Sequence, residues 1–413
     1  MKRKSLAILL CFCLAVGMLS ACGKSNGNSK PGTDDKPKTE DGSSTDGESS
    51  ADKNVIKIGV FEPLTGENGG GGYQEVLGIR YANKMYPTVE IDGVTYDIVL
   101  EEVDNKSDKT EAVTAAQSLI SKKVKVVLGS YGSGVSIAAG EFFKEAEIPA
   151  IGASCTNPQV TLGNDYYFRV CFLDPFQGTV MANYAFQENA KTAAVITQLG
   201  DDYSSGLGSF FVTAFKDLAG ENSIVSQEQF QTNQTDFKAI LTNIKATNPD
   251  VIFAPSSIAT APLIIKQARE LGIECPIMAG DTWENSTIIE NAGEYAEGIV
   301  LSTFFDDADP ANEEAKAFVS GFKTYLKENG QSEIIPAVSA LGYDAYLIAL
   351  QAIKDANSTD TKKIRDALVN AKIDGVTGSI SFDENGDAKK DMAFIKTVED
   401  GAFKFLKTVT VAK

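Results

Sequence analysis

The residues able to hold a small charged molecule fall in four loops, each placed after a short apolar run. Gly129-Ser-Tyr-Gly-Ser-Gly-Val135 opens directly into an apolar-periodic stretch. Hydroxyls and free backbone N–H groups at a helix start, where the macrodipole is positive, suit a carboxylate or other small anion; Ser133 either serves that site or caps the helix. Ser154-Cys-Thr-Asn-Pro158 adds the hydroxyls of Ser154 and Thr156, although Asn157-Pro158 is also an ordinary turn signal. In Pro276-Ile-Met-Ala-Gly-Asp-Thr-Trp-Glu284, Asp281 follows a buried run directly and sits beside Trp283, the single tryptophan. Asp281 could accept from an ammonium group while Trp283 walls a cleft; the alternatives are a helix cap or a solvated carboxylate. The fourth loop, Pro63-Leu-Thr-Gly-Glu-Asn-Gly-Gly-Gly-Gly-Tyr73, matches neither GxGxxG nor GxxxxGK[ST], so it reads as a place where a ligand approaches backbone rather than as a phosphate cradle. Together these loops offer donors for a carboxylate and an acceptor for an ammonium. A free α-amino acid carries both charges and would bridge them.

Histidine is absent from the 413 residues. That removes Ser-His-Asp and Cys-His catalysis, histidine-ligated metals and imidazole acid–base chemistry, and leaves carboxylate, lysine or tyrosine chemistry open. Asp281 and Glu284 stand too close on one loop to flank a scissile bond, so no catalysis, cofactor or metal is expected. The N-terminus reads as an export signal: Met1-Lys-Arg-Lys, an apolar run from Leu6 to Leu19, then Leu19-Ser-Ala-Cys22. The residues around Cys22 resemble the lipobox of bacterial lipoproteins, with cleavage expected after residue 21 and lipid on Cys22. From Lys24 to Lys53 there is no aromatic residue, and residues 22–53 are expected to form a disordered tether. With no later segment of spanning length and apolarity, that lipid is the expected membrane contact. Loss of Lys2, Arg3 and Lys4 takes the formal charge from −18 to −21, a surface that repels nucleic acid and anionic lipid. Cys155, Cys171 and Cys275 are widely spaced and form no metal or CxxC pattern; all three read as packing residues.

The elements that must position the loops alternate in type. Strand-like runs at 55–61, 96–103, 124–128 and 149–153 are separated by helical periods at 74–86, 109–122 and 135–146. After the break Asp174-Pro-Phe-Gln177 the pattern restarts, with strands at 193–198, 224–230, 250–254, 276–280 and 298–304 between helices. This predicts an α/β fold of two doubly wound units in series, whose ligands bind outside the carboxyl ends of the strands. Long helices at 312–328 and 337–355, a shorter one at 361–370 and hairpins around Glu384-Asn-Gly386 and Glu399-Asp-Gly401 close the chain.

With these loops in this order, the chain from Val55 onward resembles the branched-chain amino-acid-binding proteins, type I periplasmic substrate-binding proteins of ABC importers, in lipoprotein form. The resemblance implies two Rossmann-like lobes closing like a flytrap about three crossovers near Asp174-Pro175, Phe305-Asp306 and Gly375-Val376. It assigns 54–174 and 306–375 to the N-lobe and 175–305 and 376–413 to the C-lobe. It also implies that Ser133 binds the ligand carboxylate, that Ser154 and Thr156 meet both charged ends, that Asp281 receives the ammonium, and that Tyr203 covers the ligand. Gly71, Ser257 and Trp283 would line the side-chain pocket, where the chain departs from many relatives: Gly69 to Gly72 replace an aromatic, and Ser256-Ser257 stand where some carry Gly and Tyr. The implied protein is a monomer on the outer face of a Gram-positive cytoplasmic membrane, partnered by an amino acid and by permease subunits. A sensor for an amide or another small polar metabolite is the alternative.

Overall fold

The computed structural model describes residues 54–410. The expected signal, Cys22 and the tether lie outside the described residues.

The first unit runs β1 (Val55–Glu62), α1 (Gly69–Met85), β2 (Thr88–Ile91), β3 (Val94–Asp104), α2 (Lys109–Ser121), β4 (Val126–Leu128), α3 (Ser133–Glu145), β5 (Ala150–Gly152) and β6 (Tyr167–Arg169). Its sheet order is β2-β3-β1-β4-β5-β6. All pairs are parallel except β2 with β3. β4 reads as an unbroken apolar run, and β1 as one interrupted only by Lys57 before its closing Glu62, because both sheet faces are covered. The parallel strands follow the order of a doubly wound sheet with its switch point between β1 and β4. Register there pairs Val60 with Leu128 and Glu62 with Asp104, so Glu62 and the Gly129–Ser133 loop leave the same sheet edge.

Two readings change. The glycine run is no loop: Gly69 to Gly72 form the first turn of α1. A Cβ on Gly72 would lie 2.2 Å from the Pro63 carbonyl oxygen, so the turn packs too closely for a side chain, and that packing outweighs poor helix propensity. The second is the hairpin of β2 and β3 around Asp92-Gly93, both with positive φ. Its Asp-Gly turn is a strong hairpin signal, hidden among exposed, weakly apolar strands.

The second unit runs α4 (Asp174–Gln187), β7 (Ala193–Gln198), α5 (Asp202–Ala219), β8 (Ile224–Phe230), α6 (Lys238–Thr247), β9 (Val251–Phe253), α7 (Ala261–Glu270), β10 (Ile277–Ala279), α8 (Ser286–Ala292) and β11 (Val300–Thr303). The chain then forms α9 (Glu313–Glu328), α10 (Ala337–Ala356), α11 (Thr361–Leu368), the hairpin β12 (Lys372–Gly375) and β13 (Gly378–Ser381), and the antiparallel pair β14 (Met392–Glu399) and β15 (Ala402–Thr410). β14 and β15 extend the second sheet, β15-β14-β11-β10-β9-β7-β8. The parallel strands repeat the doubly wound order of the first sheet, which makes two lobes.

Helix α10, buried along most of its length, lies on α1 and on β2, β4 and β5, returning the chain to the first lobe. The residues after it stay there. Asp344 of α10 accepts from the backbone N–H groups of Val376 and Thr377 at 2.8 and 2.9 Å, and Arg169 pairs with Asp387 at 2.6 Å. We therefore place the third crossing between Ala388 and Met392, later than the expected Gly375-Val376. The first two crossings meet each other, with the Phe172 and Phe304 rings 4.2 Å apart between centroids. Cys155 and Cys171 are buried, Cys275 is half-buried, and all three are free thiols; burial pushes Cys155 up to about 11, which keeps it inert.

Candidate functional site

The loops facing the gap between the lobes bring Ser133, Ser154, Thr156, Tyr203 and Asp281 into one buried region. Ser133 is the first residue of α3, and the capping position belongs to Gly132, which has no side chain to cap with. Ser133 Oγ accepts from the Asn157 N–H at 3.2 Å, so its own hydrogen remains available to donate and the capping alternative is set aside. Ser154 donates its hydroxyl hydrogen to Glu75 of α1. Thr156 Oγ1 is buried without a partner. The backbone of this loop is pinned from behind: fully buried Arg169 donates to the carbonyls of Cys155 at 2.8 Å and Asn157 at 2.6 Å.

Across the gap, Asp281 lies in a short 3-10 turn directly after β10 and is 2 % exposed. That excludes a solvated carboxylate. Its Oδ1 accepts from Gln177 Nε2 at 2.8 Å and from the Tyr203 hydroxyl at 3.1 Å. Burial pushes its pKa up to about 6, against the pull of those two hydrogen bonds. Asp174, at the start of α4, is raised by burial to about 8, and neither of its oxygens has a partner of acceptable geometry, although the Thr156 hydroxyl lies close enough to draw the value back. Asp174, the Thr156 hydroxyl and Gln177 Oε1, buried and without partners among the described residues, are costly unless a ligand supplies them.

The three residues expected to line a side-chain pocket sit as follows. Gly71 faces the Tyr131 ring, and a Cβ there would stand 2.4 Å from it. Tyr131 thus occupies the space that an aromatic in the glycine run would fill, and its hydroxyl reaches the Thr282 carbonyl of the other lobe at 3.4 Å. Trp283 is fully enclosed, its indole N–H donating to Ser256 Oγ at 3.2 Å. Ser257 is buried with its hydroxyl 2.9 Å from that of Thr260.

The lobes are closed on one another. Glu67 takes Gln198 Nε2 at 2.9 Å on its side chain and the Ala259 N–H at 3.1 Å on its carbonyl. Asn157 Nδ2 donates to the Asp202 carbonyl at 2.8 Å, and Lys109 pairs with the Asp202 carboxylate at 2.7 Å.

A family model described as periplasmic binding protein matches residues 55–402. The chain belongs to the periplasmic binding protein family. A leucine-binding protein of Thermotoga maritima superposes with a TM-score of 0.80 at 35% identity, covering 86% of this chain and 99% of that one. A branched-chain amino acid transporter substrate-binding protein of Streptococcus pneumoniae, solved in complex with isoleucine, gives 0.77 at 30% identity, covering 87% and 99%. An amino acid binding protein of Pseudomonas aeruginosa is 30% identical over 346 residues, 81% of this chain and 87% of that protein. The resemblance to the branched-chain amino-acid-binding proteins therefore holds, as does the two-lobed type I architecture. Periplasmic binding proteins bind substrates rather than transform them.

Reading this family member by sequence missed Tyr131, Gln177, Asp174, Glu62 and Glu75. Tyr131 lay inside a ligand loop already singled out, Asp174 and Gln177 lay at the two ends of a chain break already singled out, and Glu62 ends a strand at the ligand edge. Glu75 gave no signal, being one acidic residue among the polar and charged residues of its helical period, Gln74, Arg80, Asn83 and Lys84.

Proposed function

We propose that this protein is an extracytoplasmic, lipid-anchored receptor that takes a free α-amino acid between its lobes and delivers it to an ABC importer. The observation that carries the reading is the opposition of charge roles across the gap. Asp281, backed by Gln177 and Tyr203, is an acceptor for the ammonium. Ser133 and Thr156, with the backbone N–H groups at the start of α3, are donors for the carboxylate. The donors for the carboxylate stand on the first lobe and the carboxylate that would receive the ammonium stands on the second, so binding favours the closed state. An aliphatic side chain fits the Tyr131 wall, in keeping with the isoleucine held by the Streptococcus pneumoniae relative.

A thermal-shift screen of free amino acids tests this, because a ligand confined to the folded state raises apparent stability by RT ln(1 + [L]/Kd). A branched aliphatic amino acid should shift the melt most, and Asp281→Ala should weaken it by at least about tenfold, since a charge-assisted bond to a buried acceptor contributes about 1.5–3 kcal/mol. No shift with any amino acid, or unchanged affinity in Asp281→Ala, overturns the reading. For the anchor, Cys22→Ala should move the protein from the membrane fraction to the medium with binding intact; retention in the membrane refutes it.

A further inference from the structure

Beneath Ser154 lie two acids that ligand contact does not explain. Glu62, the last residue of β1, and Glu75 of α1 are both 0 % exposed. The Tyr131 N–H donates to Glu62 Oε2 at 2.7 Å, and the Ser154 hydroxyl donates to Glu75 Oε1. That leaves Glu62 Oε1 and Glu75 Oε2, both buried and both without a donor among the described residues. The two side chains lie within hydrogen-bonding reach of each other, so a single proton held between them would give the pair the donor that it lacks. Two ionised carboxylates in contact inside a protein repel strongly, and one shared proton removes both the repulsion and the two orphans.

We propose that Glu62 and Glu75 share one proton and that the charge left on Glu75 takes the Ser154 hydrogen, so that Ser154 presents its lone pairs to the amino group of the ligand. Glu75 is then a positioning residue. It sets the polarity of a hydroxyl that could otherwise point its hydrogen at the ligand, and it biases that subsite toward ammonium and against carboxylate. This rests on the amino-acid reading above.

The surroundings agree. Tyr131, Cys155 and Tyr167 face the pair from the first lobe and Asp281 faces it from the second. On α10, Gly342 packs against the Glu75 backbone: a Cβ there would lie 2.4 Å from the Glu75 carbonyl oxygen. Arg169, the cation that acts on Cys155, is committed to Asp387 and two carbonyls. Among the described residues no cation is therefore set to neutralise the pair, and burial raises both acids.

Two measurements on the full chain test the proposal. Infrared difference spectra with isotope-labelled glutamate at a pH of about 8, where ordinary glutamates are ionised, should show the carbonyl stretch of one protonated carboxylic acid that disappears in Glu62→Gln. Absence of the band in wild type, or its survival in Glu62→Gln, overturns the shared proton. The second compares the amino acid with its 2-hydroxy analogue, which lacks the ammonium. Glu75→Leu should weaken the amino acid by about tenfold and the analogue less than about twofold. Ser154→Ala should show the same selectivity, with no further loss in the double variant, and Glu75→Gln, whose carbonyl still accepts the Ser154 hydrogen, should restore most of the affinity. Equal losses for both ligands refute the positioning role. If wild type binds no amino acid, the ligand reading fails instead, and the infrared result still decides the proton.

Discussion

Arg169 offers the sharpest test of how the site is supported. Its side chain is 0 % exposed, and its donors reach Asp387 at 2.6 Å, the Cys155 and Asn157 carbonyls, and Thr161 Oγ1 at 3.1 Å. Arg169→Met keeps most of the volume and removes every one of these bonds. Stranding the Asp387 carboxylate costs about 3–5 kcal/mol, since an unpaired buried charge keeps its desolvation penalty. Each carbonyl left dry adds about 1–3 kcal/mol. These terms share one cluster and do not simply add, so the expected loss is about 4–6 kcal/mol, a large share of the roughly 5–15 kcal/mol that holds a folded protein together. Trp283, the sole tryptophan and fully enclosed, reports unfolding by fluorescence in a urea titration. Arg169→Met should lower the midpoint strongly, and adding Asp387→Leu should recover at least half the loss by removing the stranded charge. Ligand affinity should stay depressed in the double variant, because the Cys155 and Asn157 carbonyls have then lost the guanidinium that holds them from behind. A single-variant loss below about 1 kcal/mol, or a double variant no more stable than the single, would refute the argument that this pair is a buried support.

The remaining predictions concern charge and fit. Burial raises Asp281 to about 6 and Asp174 to about 8, above an unfolded value near 3.9. Between those limits the folded chain keeps protons the unfolded chain has lost, so ligand-free stability should fall as pH rises from about 4 to about 8. Thermal melts across that range should show a slope that flattens in Asp281→Asn/Asp174→Asn; an identical slope contradicts it. Because an ammonium favours ionised Asp281, affinity should also drop as pH falls below about 6, measurable by calorimetry. Gly71→Ala, whose Cβ would meet the Tyr131 ring at 2.4 Å, should displace that ring and weaken binding by about tenfold, toward the lower end of an overpacking cost of about 1–3 kcal/mol. In a Tyr131→Ala background the same substitution should cost little, and additive losses count against the fit.

Much of this protein is local and therefore readable from its residues. Buried parallel strands declare themselves as short apolar runs between helical periods, so the α/β class and the repeat of two units follow from pattern alone. The rule that ligands gather at the carboxyl ends of such strands then points to Ser133, Ser154, Thr156 and Asp281 without a structure. Tertiary structure decided what those side chains do. Ser133 proved to be no cap because Asn157, distant in sequence, folds back onto it. Gly71 could not be understood until Tyr131 was seen against it. Our placing of the third crossing after Ala388 rests on Arg169 pairing with Asp387, a contact that joins residues 218 apart. The acids Glu62, Glu75 and Asp174 look like any others along the chain; they become a site only when folding strips them of water and sets them against partners far away in sequence. Burial and long-range pairing set their charge, and those are properties of the assembled fold rather than of any window of residues.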